Sequence, residues 1–169
     1  MSPHLQPCAG ARAGFVFICP GRFEASRGFP CAAGTGANLA RALLRLHARM
    51  PARFQAPDRT EYVITNSWER VEYPALTGRS VPSEQEVLTP VNLARLAAEL
   101  GHLSTIVACG AQAQAAVRAL VDLRLIAADV AYARHLSQRS VNMIPGATDT
   151  PGRIEAWCDG VLGQLADRP

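Results

Sequence analysis

Four short apolar runs constrain this chain more than any other sequence feature. The clearest is Phe-Val-Phe-Ile-Cys at 15–19, which Gly14 precedes and Pro20-Gly21 interrupts. Apolar runs of this length, bounded by turn residues and without polar alternation, are typical of strands buried on both faces of a sheet. We therefore predict strands at 14–19, 62–64, 105–109 and 130–133, the second of them ending at Thr65-Asn66.

Segments with helical spacing of apolar side chains separate these runs. Thr89-Pro90, for example, supplies a cap and a first helical position for a segment that Gly101 ends. The predicted helices run from about 36, over 91–100, from 110 to about 123 and from 150 to about 165. Alternating strands and helices predict one α/β domain over 1–169, a three-layer α/β/α sandwich with a mainly parallel, four-stranded sheet.

Polar or glycine-rich segments follow three of the predicted strands, at 20–36, 65–73 and 135–142. In parallel sheets, ligands bind outside the carboxyl ends of the strands. We therefore expect the chemistry of this protein where the three segments meet.

The basic residues exclude several mechanisms. All 17 are arginine, so a Schiff-base lysine, a P-loop lysine and any lysine nucleophile are excluded. The net charge is only +3. Arginines that cluster suit bidentate phosphate contacts, whereas a biased genome composition gives the same count, and both explanations stay open.

The five cysteines are odd in number and include no Cys-x-x-Cys pair. Neither a disulfide framework nor a zinc ribbon is indicated, and the simplest location is a reducing cytoplasm. The longest early apolar run is too short to span a membrane, and the segment before it lacks a secretory pattern. We expect a cytoplasmic chain without a membrane partner or a metal.

The loop after the first strand resembles a motif of a known family. It reads Cys-Pro-Gly at 19–21, Gly-Phe-Pro-Cys at 28–31 and Gly-Thr-Gly at 34–36. This is similar to the first motif of the uracil-DNA glycosylase superfamily, in its iron–sulfur and mismatch-specific branches. Three later segments resemble the superfamily's other motifs in the same order: Ile64-Thr65-Asn66, 107–113 and His135-Leu136-Ser137. The resemblance implies the superfamily's fold and hydrolysis of the N-glycosidic bond of a flipped base.

The resemblance implies three catalytic residues. His135 would donate from a neutral imidazole to the base oxygen nearest the glycosidic bond, and Asn66 would read the base edge. Glu24, the only carboxylate in the first loop, would place water or stabilise the cation-like sugar. The structural alternatives are a histidine that caps the fourth strand, an asparagine in a turn and a solvated loop glutamate.

The same resemblance implies a base pocket and a DNA-binding surface. The pocket residues are Cys19, Pro20, Gly21, Phe23, Phe29 and Cys31. Phosphate would contact the backbone N–H groups of Gly34, Thr35 and Gly36 and the side chain of Ser137. Gln138 and Arg139 stand where relatives insert a wedge, and Arg22, Arg27 and Arg134 also lie on or beside these loops.

Departures from the family pattern bear on water and substrate. Cys19 replaces the water-placing asparagine of one branch, and Ile18 stands in the position of a glutamate in the other. Water activation would then depend on Glu24, backbone carbonyls or the substrate. Cys31 replaces the phenylalanine that stacks on uracil, a change that costs about 1–3 kcal/mol of stacking but opens volume.

That volume predicts a bulky modified pyrimidine, such as a hypermodified cytosine of phage DNA, and a role in anti-phage defence. Phe29 or Phe23 could supply the stacking instead, which keeps uracil or mismatch excision in base excision repair as the alternative. The replacement at Cys19 also keeps open a catalytically inactive binder of modified DNA.

Two absences refine the expected reaction. Only Cys8 precedes the motif region and no middle cysteine pair exists, so the iron–sulfur cluster and any other cofactor are not expected. Without lysine, strand cleavage through a lysine amine is excluded. We expect a monofunctional enzyme that acts on DNA as a monomer and leaves an intact abasic site. The wedge-like Gln138-Arg139 disfavours hydrolysis of free nucleosides.

Overall fold

The computed structural model describes residues 2–166 and contains one five-stranded sheet flanked by helices. Its strands are β1 (Leu5–Gln6), β2 (Ala13–Phe17), β3 (Val63–Asn66), β4 (Thr105–Cys109) and β5 (Asp129–Ala133). The helices are α1 (Arg22–Arg27), α2 (Gly34–Arg49), α3 (Pro74–Thr77), α4 (Glu84–Val87), α5 (Pro90–Leu100), α6 (Ala111–Asp122), α7 (Gln138–Asn142) and α8 (Thr150–Ala166). A short 3-10 helix spans Arg59–Glu61.

The strand order is β1-β3-β2-β4-β5, with every pair parallel except β1 with β3. The α/β class, the mainly parallel sheet and the three layers are therefore confirmed. The predicted number of four strands is wrong, because β1 adds an antiparallel edge of two residues that pair with Thr65 and Ile64. A strand this short carries no period that a sequence can show.

Two apolar clusters fill the space on either side of the sheet. One contains Phe15 and Phe17 of β2 with side chains of α2 and α8, and the other contains Val16 with side chains of α5 and α6. Successive residues of a strand point to opposite faces, so a continuous apolar run supplies both clusters. Burial on both faces explains why the four longer strands were predictable.

Most boundaries of the long elements lie within two residues of the prediction. β2 ends at Phe17 rather than at Cys19, and α2 begins at Gly34 rather than at about 36. The segment predicted as a loop at 20–36 also contains α1, which the Gly21–Glu24 capping contact begins and Gly28 ends in the left-handed region. Within residues 2–166, no helix has the length and apolar character that crossing a bilayer requires.

Candidate active site

Residues that follow β2, β4 and β5 meet at Gly110, which comes directly after β4. Gly110 has φ = 99°, and a Cβ atom there would lie 2.8 Å from Cδ1 of Ile18 and 3.4 Å from Cβ of His135. Its N–H donates to the carbonyl of Ala133 at the end of β5. Glycine satisfies both the left-handed backbone and this close approach. The residue two positions before the first predicted site segment and the first residue of the third therefore meet here.

His135 is the site residue with the most defined chemistry. Its Nδ1 accepts a 3.0 Å hydrogen bond from the backbone N–H of Ser137, so the proton of a neutral ring lies on Nε2. Burial lowers its pKa to about 4, and the charge of Glu24 opposes this effect only in part. The imidazole also packs against the ring of Phe17 in a T-shaped arrangement, with the two ring centroids 5.5 Å apart. His135 is therefore a neutral N–H donor at pH 7.

Both carboxylate oxygens of Glu24 are occupied by backbone donors. Oε2 accepts from the N–H of Gly21 and Oε1 from the N–H of Ala32, each at 3.0 Å. These bonds join the start of α1 to the turn before α2. Glu24 is thus a held negative charge near His135, and its carboxylate also serves a structural purpose that the sequence analysis did not assign to it.

The turn at 30–32 is clamped by arginines. Arg59 donates to the carbonyls of Pro30 at 2.6 Å and Cys31 at 2.8 Å, and Arg27 donates to the carbonyl of Ala32. Cys31 is buried and has φ = 53°, a left-handed conformation that is uncommon for a residue other than glycine. Gly36 completes the turn, because a Cβ atom there would collide with the Cys31 carbonyl oxygen.

Asn66 lies at the end of β3, as predicted, but its buried carboxamide is turned toward the β1 edge of the sheet. Nδ2 donates to the carbonyl of His4, opposite Asn66 across the β1 edge, at 3.3 Å. Two strands separate β3 from β5, which puts the backbones of Asn66 and His135 about 14 Å apart. The structure does not bring the Asn66 amide nitrogen toward His135.

Residues 67–86, which follow β3, form a wall beside Cys19. The thiol of Cys19 donates to the carbonyl of Ser80 at 3.6 Å, and burial, with the charges of Glu72 and Glu24, raises its pKa to about 12. Pro20 is buried, and its carbonyl accepts from the N–H of Glu72 at 2.9 Å. A thiol this protonated cannot act as a nucleophile or place water as a base.

Ion pairs between a buried carboxylate and a partly exposed arginine hold this wall in place. The side chain of Glu72 is 3% exposed, and it pairs with Arg79 at 2.6 Å and accepts from the indole N–H of Trp68 at 3.1 Å. Arg79 also pairs with Glu86 at 2.6 Å. Arg79 thus connects Glu72, in the middle of the wall, to Glu86 at its end.

The two aromatic candidates differ in exposure. Phe23, in α1, is 45% exposed, and the guanidinium of Arg22 lies 4.7 Å from its ring centroid. Phe29 is half-buried, with the Arg59 guanidinium 5.7 Å from its ring. Both rings belong to the first site segment, as predicted, and each already contacts a cation.

The predicted phosphate-binding residues begin two helices. Gly34, Thr35 and Gly36 form the first turn of α2. Ser137 is the N-cap of α7, and its hydroxyl accepts from the N–H of Ser140 at 3.4 Å. The hydroxyl hydrogen of Ser137 is left to donate to a phosphate oxygen while its oxygen accepts from Ser140, and that phosphate contact stays a prediction.

The two predicted wedge residues differ in the contacts of their side chains. Gln138 is held by hydrogen bonds to Asn142 at 2.8 Å and to Thr150 at 3.1 Å. Arg139 is exposed and forms no hydrogen bond or ion pair with any residue in the described part of the chain. Of the two side chains, only Arg139 is free to enter a bound nucleic acid.

Asn38 is a site residue to which the sequence analysis assigned no role. It is buried in α2, and its Nδ2 donates to the carbonyl of Leu136 at 2.9 Å. This contact ties α2, the helix that begins in the first site segment, to the third segment. An asparagine beside Leu39 on the apolar side of a predicted helix was the available signal. No comparable signal pointed to Arg59 or Arg79.

Comparison with protein-family models finds no match to this chain, and no curated protein matches it. Within residues 2–166 no group of three or more histidine, cysteine, aspartate or glutamate side chains is arranged to hold a metal ion.

Proposed function

We propose that this protein is a monofunctional DNA glycosylase, which hydrolyses the N-glycosidic bond of a flipped pyrimidine and leaves an intact abasic site. The observation that carries the proposal is the state of His135. The ring is neutral, Nδ1 is occupied by Ser137, and Nε2–H has no acceptor among residues 2–166. A neutral N–H donor of this kind stabilises the charge that develops on a departing base oxygen.

Glu24 supports the other half of the reaction. As the base leaves with the bonding electrons, the sugar becomes cation-like, and water then adds its hydroxide to the sugar carbon while its remaining proton goes to the departed base. Glu24 contributes a held negative charge near His135, and each of its oxygens keeps a lone pair beyond its backbone bond. We propose electrostatic stabilisation of the sugar as its role.

Exposed arginines beside the site support DNA as the partner. Arg22, Arg134 and Arg139 are exposed and form no ion pair with a carboxylate of the described residues. Exposed arginines without an ion pair to a described residue also occur away from the site, Arg12 among them, so it is the position of these three beside the site segments that supports DNA contact. Uncompensated guanidinium groups suit phosphate oxygens. We propose that the protein acts on DNA as a monomer in the cytoplasm.

For the substrate, we propose a pyrimidine bulkier than uracil, such as a hypermodified cytosine of phage DNA, with a role in anti-phage defence. Support comes from Cys31, a small side chain in place of an aromatic wall, in a turn fixed by Arg59. The second candidate is uracil or mismatch excision in base excision repair. The half-buried ring of Phe29 favours it, since that ring lies two residues from Cys31 and offers stacking area.

Three hydrogen bonds favour a third candidate, a protein that binds modified DNA without hydrolysing it. Backbone donors occupy both oxygens of Glu24, and the carboxamide nitrogen of Asn66 is bonded to His4. Water placement and base reading would each require one of these side chains to leave its partner or to use its remaining lone pairs.

Duplex oligonucleotides that carry uracil, ethenocytosine or glucosylated hydroxymethylcytosine distinguish the candidates. After incubation and alkali treatment, strand breaks at the modified position identify a glycosylase, and a gel shift without breaks identifies a binder. We expect breaks with the glucosylated base. Efficient uracil excision with intact glucosylated and hydroxymethylated DNA would refute the bulky-substrate proposal.

A further inference from the structure

The peptide group between Leu136 and Ser137 is held at both of its polar ends. Its carbonyl oxygen accepts a 2.9 Å hydrogen bond from Nδ2 of Asn38, and its N–H donates a 3.0 Å hydrogen bond to Nδ1 of His135. Because a peptide group is planar, fixing the direction of its C=O bond also fixes the direction of its N–H bond. One rigid unit therefore connects Asn38 to the imidazole.

The carboxamide of Asn38 is itself oriented by its neighbours. The residue is 1% exposed, and its Oδ1 accepts from the guanidinium of Arg41 at 3.1 Å. The opposite orientation would place Oδ1 against the carbonyl oxygen of Leu136 and the amide nitrogen against the Arg41 cation. Only the observed orientation satisfies all of these groups.

We propose that Asn38 is a positioning residue that sets the tautomer of His135 through the Leu136–Ser137 peptide group. With Asn38 in place, the Ser137 N–H points at Nδ1, which must stay an acceptor, so the ring proton resides on Nε2. The two hydrogen bonds act in series, and each polarises the other. The consequence for catalysis rests on the proposed function, whereas the tautomer does not depend on it.

Nitrogen NMR of the histidine rings tests directly whether Asn38 sets the tautomer of His135. Asn38→Asp places a carboxylate against the Leu136 carbonyl, and Asn38→Leu leaves that carbonyl without its donor. In both variants we expect the Nδ1–H fraction of His135 to rise at least about fivefold, the scale of one lost hydrogen bond. The spectrum of His135→Gln assigns the resonances. His47, whose Nδ1 lies 2.7 Å from the Phe54 carbonyl and so carries its proton there, is the internal reference.

Asn92→Asp is the matched control. Asn92 is also buried, its Nδ2 donates to the carbonyls of Ser67 and Val87, and its Oδ1 accepts from Arg95. Like Asn38→Asp, this change replaces a buried amide that donates to a backbone carbonyl by a carboxylate. Asn92 lies away from the Leu136–Ser137 peptide group. We expect the His135 tautomer to be unchanged in this variant.

An unchanged tautomer in a folded Asn38 variant, or an equal change in Asn92→Asp, would overturn the proposal. If the protein excises a base, we also expect Asn38→Leu to lower kcat about tenfold at nearly constant KM, because the donor and not the binding surface is perturbed. A shifted tautomer in a protein that excises no base would instead refute the proposed function and leave the positioning role of Asn38 standing.

Discussion

Arg59 donates a 2.8 Å hydrogen bond to the carbonyl of Cys31, a residue whose backbone lies in the left-handed region at φ = 53°. The guanidinium comes from the 3-10 helix that precedes β3, and it also binds the carbonyl of Pro30. The conformation of the candidate base pocket therefore depends on a tertiary contact and not only on the turn residues of its own loop.

Replacing Arg59 by glutamine should destabilise the folded protein. The change removes two charge-assisted hydrogen bonds to partly buried carbonyls, so we expect the free energy of unfolding to fall by about 2–4 kcal/mol in a urea titration. Arg12→Gln is the control, because Arg12 is exposed and precedes β2, at the amino ends of the parallel strands and away from the site. Equal urea midpoints for the Arg59 and Arg12 variants would contradict a stabilising role of the Arg59 hydrogen bonds to the turn at 30–32.

The wall beside Cys19 should weaken in acid. Hydrogen bonds from Arg79 lower the pKa values of Glu72 and Glu86 from 4.5 to about 2. A depressed folded-state pKa contributes stability that is complete above about pH 4.5 and is lost as the pH falls toward 2. Glu72→Gln combined with Glu86→Gln should therefore differ most from the wild type at pH 7 and progressively less between pH 4.5 and pH 2.

Urea titrations at several pH values measure this difference. Glu84→Gln is the matched control, since Glu84 is an exposed carboxylate in the same short helix as Glu86. A stability difference between the double variant and the wild type that stays constant down to pH 2 would rule out the ion-paired wall.

His135 should titrate far below an ordinary histidine. Burial lowers its pKa from 6.5 to about 4, so its NMR resonances should show a midpoint near pH 4. The folded state binds this proton less readily than the unfolded state. The contribution to stability is therefore complete above about pH 6.5 and is lost as the pH falls through about 4. A midpoint near 6.5 would show that the ring is solvated.

Arg139→Ala should weaken DNA binding. One phosphate contact fewer should lower affinity about fivefold at moderate salt and reduce the slope of log affinity against log salt by about 0.9. Fluorescence anisotropy at several salt concentrations measures both quantities. Arg12→Ala removes another exposed arginine, at the amino ends of the parallel strands and away from the site, and should leave the slope unchanged. If the two variants behave alike, Arg139 does not contact the bound DNA.

The sequence predicted those parts of the fold that depend on local pattern. β2 and β4 are continuous apolar runs, and Thr89-Pro90 begins α5 as its residue types suggest. In contrast, β1 exists only because β3 offers its edge. The start and end signals of α1 were present in Gly21, Glu24 and Gly28, but its short length hid it among turn residues.

Contacts between distant residues account for what the sequence did not predict in the site. Asn38 and Leu136 are 98 residues apart, and Arg59 and Cys31 are 28 apart. Each pair depends on how the helices and loops pack against the sheet, which local propensity does not encode. The position of His135 was predictable from its motif, whereas its tautomer depends on one backbone N–H.

The most direct test of the account is the release of free base from DNA by the wild type and by His135→Gln. Duplexes that carry glucosylated hydroxymethylcytosine or uracil are incubated with excess protein, and mass spectrometry quantifies the released base over time. We predict that the wild type releases the base, and that His135→Gln is at least about a hundredfold slower with unchanged DNA affinity, since the imidazole donor that Ser137 orients toward the departing base is lost. Release at the wild-type rate by His135→Gln, or no release from any duplex by the wild type, would contradict the account.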